Sequence, residues 1–170
     1  MGPATAQAAK RAARSYSPDR PQPMAGHAGL LSIFSTGVSA VALAFRRSGR
    51  ALPERVPPSD LVLMSIATYK ISRLISKDKI TGFLRAPFTR YEGESERPSE
   101  VVEEPRGKGF QRAVGELLVC PYCLAQWVGT ALVSLYLFSP RLARLTASMF
   151  SIVSGSDLLQ QAWIAVDKRA

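Results

Sequence analysis

Long apolar runs alternate with polar, proline-containing segments along the chain. Three of the runs predict helices, at residues 61–75, 117–138 and 142–166. The run at 117–138 carries no charge over about one bilayer thickness, so it is the strongest transmembrane prediction. Only Ser139, Pro140 and Arg141 separate it from the next apolar run. Such a short connection predicts an antiparallel helical hairpin.

A fourth apolar run lies at residues 27–45, between a basic tail and a cluster of three arginines. A basic segment before an apolar run resembles a signal sequence, but arginines directly after the run are a poor cleavage context and a good stop signal. We therefore expect segment 27–58 to be an apolar anchor followed by a proline-rich linker. Residues 1–26 lack apolar periodicity and predict a disordered basic tail.

The polar centre of the chain, residues 77–114, contains eight basic residues, several glutamates, and helix-breaking prolines and glycines. It predicts a loop with at most short helices. Because basic residues are enriched in cytoplasmic loops, this loop should be cytoplasmic and the turn at Pro140 should lie outside. The same rule conflicts with the arginine-rich linker, which a spanning 61–75 helix would place outside.

The predicted fold class is therefore all-α: a small integral membrane helical bundle of three or four transmembrane helices with a disordered basic tail. The helical membrane domain comprises residues 59–170 and includes the polar loop. The predicted location is the cell membrane, which the chain crosses several times.

Charge distribution bears on the partners. The chain has 170 residues, with 22 Lys and Arg against 13 Asp and Glu, and a formal net charge of +9. The basic residues gather between apolar runs and are not interleaved with aromatics on one soluble face, which speaks against nucleic-acid binding. The expected partners are a bilayer with anionic headgroups, and a second copy of the chain or an unidentified membrane protein.

Three ordered motifs resemble the bacterial membrane-protein family catalogued as domain of unknown function 1360. They are YKISRLISKDKITGFLRAPF at residues 69–88, GELLVCPYC at 115–123 and AQWVG at 125–129. The resemblance covers roughly residues 61–165. It implies a small integral membrane protein with about three spanning helices, and it brings no established reaction, substrate or partner.

Cys120 and Cys123 are the only cysteines, and a pair separated by two residues can form a disulfide or ligate a metal ion. Because the pair opens an apolar segment outside any βαβ context, a thioredoxin-like fold is rejected. A membrane thiol-redox role remains open, as does a tetrahedral metal site shared by two chains. The remaining interpretation makes both residues small packing groups.

Asp157 is an acid inside an apolar run, where a carboxylate is costly unless it is paired, protonated or turned to the bundle interior. Together with Gln160 it marks a polar stripe. Asp157 is either a proton or ion site, or a packing residue hydrogen-bonded to Ser154 or to a neighbouring helix.

A basic rim at the membrane boundary could contact anionic headgroups or hold the polar loop against the helical hairpin. It includes Lys70, Arg73, Lys79 and Arg85. Glu116, close to the cysteine pair, is expected to pair with Arg73 or Arg85 and fix the loop over the start of the hairpin.

The sequence contains no recognisable hydrolase or nucleotide-binding set, neither a Ser-His-Asp arrangement nor a phosphate-binding glycine loop. It favours a non-enzymatic membrane or envelope interaction component and predicts no cofactor. The alternative is a thiol-redox or metal-linked membrane protein that uses Cys120 and Cys123.

Overall fold

The computed structural model describes residues 15–18 and 22–168, and the chain there is mostly helical. Residues 22–168 contain six α-helices, one turn of 3-10 helix at Lys79–Thr81 and one two-stranded sheet. The helices are α1 Met24–Arg47, α2 Pro58–Lys77, α3 Gly82–Arg85, α4 Gly109–Val119, α5 Pro121–Phe138 and α6 Pro140–Asp167. The strands are β1 Thr89–Glu94 and β2 Val101–Pro105.

Prolines define where the long helices begin. Pro58, Pro121 and Pro140 each occupy the first turn of a helix, where the missing N–H would have no intrahelical partner anyway. The predicted helices at 61–75 and 142–166 are confirmed and slightly longer. The predicted start of the helix at residue 117 is wrong, because Cys120 is extended and residues 117–119 belong to α4.

The main core lies between α2, α5 and α6, and small side chains dominate its centre. Ala67, Ala143 and Ala147 are completely buried, with Leu132 and Tyr136 packed around them. Because their surfaces are small, the three helix backbones can approach closely, as in membrane helix packing.

Helix α1 runs alongside α5 in the same direction, while α2 and α6 run the opposite way. Phe34 of α1 contacts Trp127 edge to face, and Phe45 further along α1 contacts Phe138 in the same manner. The far end is tied by the Arg50 guanidinium, which donates to the Phe138 carbonyl oxygen. These four helices form the bundle.

The predicted loop at 77–114 is a folded unit, and the all-α prediction is wrong at this point. Strands β1 and β2 pair antiparallel, with Thr89 opposite Pro105, and a bulge between Tyr91 and Gly93 shifts the register. We call residues 78–119, which include this hairpin and α4, the headpiece. It covers the end of the bundle where α2 ends and α5 begins.

The N-terminal tail prediction falls mostly outside the described residues. Of residues 1–26, Met24 to Gly26 form the first turn of α1 and are therefore not part of a disordered tail. Gly26 is buried, and a Cβ atom there would lie 2.7 Å from Ala113 Cβ of α4. Only glycine permits this approach of the two helices.

Two helices in the described part of the chain are long and apolar enough to cross a bilayer. They are α1, with a mean hydropathy of 1.8, and α5, with a mean hydropathy of 1.2. By this measure there are two candidates, and not the three or four predicted from the sequence. Length and composition alone are weak evidence, since a signal sequence or the core helix of a soluble protein passes the same test.

Candidate functional site

The headpiece is organised around Arg85, whose side chain is completely buried. All five guanidinium N–H groups have acceptors. Nε and Nη2 donate to the two carboxylate oxygens of Glu103, both at 2.9 Å. Nη1 donates to the Ile75 carbonyl and the Thr81 hydroxyl, both at 2.7 Å, and Nη2 also donates to the Asp78 carbonyl at 3.0 Å.

This geometry corrects the assignment of Arg85 to a lipid-facing rim. A side chain with no exposed surface cannot contact headgroups. The Arg85 guanidinium instead joins the end of α2 to strand β2. A buried charge is tolerated only when it is paired and hydrogen-bonded, which is the case here.

Glu103 is the acidic partner of Arg85 and is itself almost fully buried. It also accepts a hydrogen bond from the Thr89 hydroxyl at 2.8 Å. Burial raises the pKa of Glu103, but the hydrogen bonds from Arg85 and Thr89 outweigh burial, so the pKa lies below its ordinary value of 4.5. The carboxylate is therefore ionised wherever the headpiece is folded near neutral pH.

The tip of the hairpin is fastened to α2 by a second bidentate pair. Arg73 donates from Nε and Nη2 to the two carboxylate oxygens of Glu100, at 2.6 and 2.7 Å. The backbone N–H of Lys79 donates to the Ser99 carbonyl at 2.8 Å. Lys79 pairs with Glu94 at 2.6 Å on the exposed surface. Whether Lys70, Arg73 and Lys79 contact lipid remains a prediction.

Helix α4 connects the headpiece to α1, and Glu116 is part of that connection. The predicted pairing of Glu116 with Arg73 or Arg85 is wrong, because both arginines are engaged by glutamates of the hairpin. Glu116 instead lies 2.7 Å from His27 Nε2 on α1 and accepts from Arg112 at 3.0 Å. These partners hold the start of α1 against α4.

Cys120 directly precedes α5 and Cys123 lies in its first turn, and both are free thiols. The Cys123 N–H donates to Cys120 Sγ at 3.2 Å, so the Cys120 thiol caps the helix. Arg112 of α4 is paired with Glu116. Capping is thus an observed role, while the redox and metal roles remain predictions.

In the described residues, no three side chains among His, Cys, Asp and Glu come together as a metal-binding group. A metal site built on the cysteine pair would therefore need ligands from elsewhere, as the sequence already indicated.

Asp157 of α6 pairs with Lys70 of α2 at 2.5 Å, and the Lys70 side chain is only 16% exposed. The partner of Asp157 is thus a basic group on a neighbouring helix, and Ser154 is not its partner. Gln160 donates to the Ser156 hydroxyl at 3.3 Å within the same helix. A proton or ion role for Asp157 remains a prediction.

A polar cluster at the opposite end of the bundle was not predicted from the sequence. Asp60 at the start of α2 accepts from Arg144 of α6, with 2.7 Å from Nη2, and from the Tyr136 hydroxyl at 2.8 Å. The Arg144 guanidinium also lies 5.6 Å from the centroid of the Tyr136 ring. An acid and an arginine at the ends of apolar runs were the available signal.

The outer surface of the bundle is rich in large apolar side chains. On α6 the side chains of Ile152 and Trp163 are 72% and 73% exposed. Leu31 on α1 and Val62 on α2 are also well exposed. Of the apolar windows of α1 and α5, only 6% and 17% are buried, unlike the core helix of a soluble protein. Apolar patches of this extent mark a surface that contacts lipid or protein.

The chain matches known proteins over the headpiece and most of the bundle. A family model described as "Protein of unknown function (DUF1360)" matches residues 63–163, which confirms the resemblance seen in the sequence motifs. UPF0713 protein YngL of Bacillus subtilis is 28% identical over 102 residues, covering 59% of this chain and 75% of YngL.

A second relative is the sporulation protein YjcA of Bacillus subtilis. It is 26% identical over 102 residues, covering 59% of this chain and 86% of YjcA. No solved structure matches the chain. All of α1 precedes the matched region, so the family region consists of the headpiece with α5, most of α2 and most of α6.

Proposed function

This chain belongs to the family of proteins of unknown function DUF1360, and on that premise we propose that it is a four-crossing membrane protein. Its headpiece faces the cytoplasm, and its role is interaction and not catalysis. The observation that carries the proposal is the bundle itself, whose completely buried positions are alanines while many leucine, isoleucine and tryptophan side chains are exposed.

That distribution is the reverse of what water favours. In water, large apolar side chains are buried because each contributes about 1.5–3 kcal/mol when removed from solvent. Leu145 and Ile152 are left outside here, while Ala143 and Ala147 are buried. In hydrocarbon this arrangement has no comparable penalty, and small residues allow close helix contact.

The packing of the helices supports four crossings, although only two of the four helices are apolar enough by composition to be candidate membrane spans. The hydroxyl of Tyr136 on α5 contacts Asp60 at one end of α2, and Gly129 lies beside Thr68 further along α2. Helix α6 also packs along α2, in the same direction as α2. If α5 crosses a bilayer, α2 and α6 occupy the same depth and cross with it.

Four of the charges that lower the apolarity of α2 and α6 are paired between the two helices. Asp60 is paired with Arg144, and Lys70 is paired with Asp157. Pairing reduces the cost of holding such groups at membrane depth. A hydropathy scale that counts each charge separately therefore underestimates how well these two helices are suited to crossing a membrane.

Orientation follows from the basic residues. With four crossings, the N-terminus, the headpiece and the C-terminus share one side, and the 48–57 linker shares the other with the α5–α6 turn. The headpiece carries most of the basic loop residues, and the sequence before Met24 and at the C-terminus is also basic. The rule for basic loops then favours the cytoplasm for all three, since they carry more basic residues than the outer segments, which keep Arg50, Arg55 and Arg141.

The proposed interaction role rests on the headpiece. Its buried Arg85 and Glu103 are fully engaged with each other and with neighbouring groups, so they stabilise a fixed shape. Strand residues Tyr91 and Val102 are exposed on that shape. A rigid polar unit with exposed apolar side chains is suited to docking.

Topology mapping in intact cells tests the proposal. Single cysteines introduced at Arg55 in the linker and Glu92 in the headpiece, in a Cys120→Ala/Cys123→Ala background, are exposed to a membrane-impermeant maleimide. The proposal predicts labelling at position 55 in intact cells, and at position 92 only after permeabilisation. Labelling of both positions from the same side would contradict four crossings.

A further inference from the structure

A cavity of about 480 Å³ lies between α2, α6 and the tip of the hairpin. This volume is within the range of small-molecule sites. The Lys70–Asp157 pair and the Arg73–Glu100 pair both border it, and each of these pairs joins two elements of the wall. The cavity is therefore part of the folded structure.

The lining of the cavity is balanced in charge. It contains four basic and four acidic residues: Lys70, Arg73, Arg97 and Lys168, with Asp78, Glu96, Glu100 and Asp157. Lys70 and Arg73 are taken up by carboxylates of the wall. Within the described residues, Arg97, Lys168 and Glu96 form no ion pair. Groups of both signs therefore remain available to a ligand.

The α6 wall of the cavity has an apolar part, formed by Leu158 and Ile164, beside the polar Asp157, Gln160, Gln161 and Lys168. The side chains of Leu158 and Ile164 are also exposed on the outer surface of the bundle. In the proposed orientation this end of α6 lies near the cytoplasmic boundary of the bilayer. The cavity thus offers apolar contacts on the membrane side next to charged groups of both signs.

We propose that this cavity binds a headgroup that carries both a phosphate and an ammonium, as in a phosphoethanolamine lipid. The phosphate is placed on Arg97 and Lys168, and the ammonium on Glu96. The apolar wall of α6 receives the start of an acyl chain. This proposal deepens the proposed function and rests on its membrane placement.

The balance of charge favours this ligand over a purely anionic one. A phosphate alone would satisfy the two free basic groups, but it would place negative charge near Asp78 and Glu96, the two lining carboxylates outside the ion pairs. An ammonium on the same ligand removes that repulsion and adds a charge-assisted contact to Glu96. A headgroup with both signs therefore complements the lining better than phosphatidylglycerol does.

Lipid retention provides the test. The full chain is placed in nanodiscs of equal phosphatidylethanolamine and phosphatidylglycerol, transferred to detergent, and examined by native mass spectrometry. We expect bound phosphatidylethanolamine, and a roughly tenfold loss of it in an Arg97→Gln/Lys168→Gln variant. The matched control is Arg90→Gln/Arg106→Gln, which removes two headpiece charges away from the cavity and should retain the lipid.

Two further arms identify the source and the ammonium contact. Glu96→Gln should lower retention of phosphatidylethanolamine and not of phosphatidylglycerol. Displacement by soluble glycerophosphoethanolamine would show that the headgroup alone is sufficient, while retention against it would show that the acyl chain contributes. Equal retention of both lipids, or equal loss in variant and control, would overturn the proposal. Topology mapping of the same variants is independent of this result and would separate it from failure of the membrane placement.

Discussion

The bundle and the headpiece of this protein bury opposite kinds of side chain. The completely buried residues at the centre of the bundle are alanines, and many of its large apolar side chains lie outside. The centre of the headpiece is an arginine held by Glu103, two backbone carbonyls and the Thr81 hydroxyl. One short chain therefore contains two packing regimes.

The difference is explained if the two regions face different solvents. In the headpiece, which would face water, a hydrogen-bonded charge network around the buried Arg85 holds the unit together, while Ile80 and Phe83 stay exposed. Around the bundle, lipid gives no free-energy gain for burying apolar side chains, so close backbone contact and paired charges stabilise the helix packing.

The largest expected effect comes from removing the buried charge of the headpiece. Arg85→Ala leaves Glu103 buried without its partner, which should destabilise the headpiece by about 3–5 kcal/mol. Hydrogen exchange should show loss of protection in β1 and β2, while α5 stays protected. The control Arg90→Ala, on the exposed face of β1, should change neither. Simultaneous loss of protection in both regions would contradict their separate packing.

Overpacking of the bundle should have the next largest effect. Ala147→Leu inserts three carbons where the helices meet and should cost about 1–3 kcal/mol. The thermal unfolding midpoint in detergent would measure this. Leu145→Ala, two residues away and facing outward, should change stability by less than about 0.5 kcal/mol. If instead Leu145→Ala lowers the unfolding midpoint more than Ala147→Leu does, the outer face is packed against protein and does not contact lipid.

The smallest expected effect is a pH dependence confined to the headpiece. Because the pKa of Glu103 is lowered in the folded protein, its stabilisation is present above the ordinary value of 4.5 and is lost as pH falls through the lowered value. Hairpin protection should therefore hold from pH 7 to about 5 and weaken below 4.5. Glu103→Gln should reduce this slope, and a slope unchanged in that variant would exclude Glu103 as its source.

The helices could be read from the sequence because apolar runs and prolines are local signals. Pro58 and Pro140 stand where two helices begin, and the absence of charge at 121–138 marks α5 directly. The break at Cys120 could not be read, because apolar residues continue on both sides of it.

The hairpin was missed because its strands are short and charged. Thr89–Glu94 contains two glutamates and an arginine, and a bulge disturbs the alternation that would reveal a strand. Its stability comes from Arg85 and Glu103, which are 18 positions apart. Such a contact depends on the three-dimensional fold and leaves no periodic trace.

The partners of the site residues were equally hidden. Lys70 meets Asp157 across 87 positions, and Glu116 meets His27 across 89. The sequence analysis singled out three of these groups, Lys70, Asp157 and Glu116, but only the packing of the helices determines which residues they meet. The cavity beside the hairpin tip arises from the same packing.

Alkaline carbonate extraction of membranes from cells that express the full chain is the most direct test of whether the bundle spans the bilayer. We expect the protein to stay in the membrane pellet. The Arg85→Ala variant, which weakens only the headpiece, should stay there too. Release of the unmodified chain into the soluble fraction would contradict a bundle that spans the bilayer.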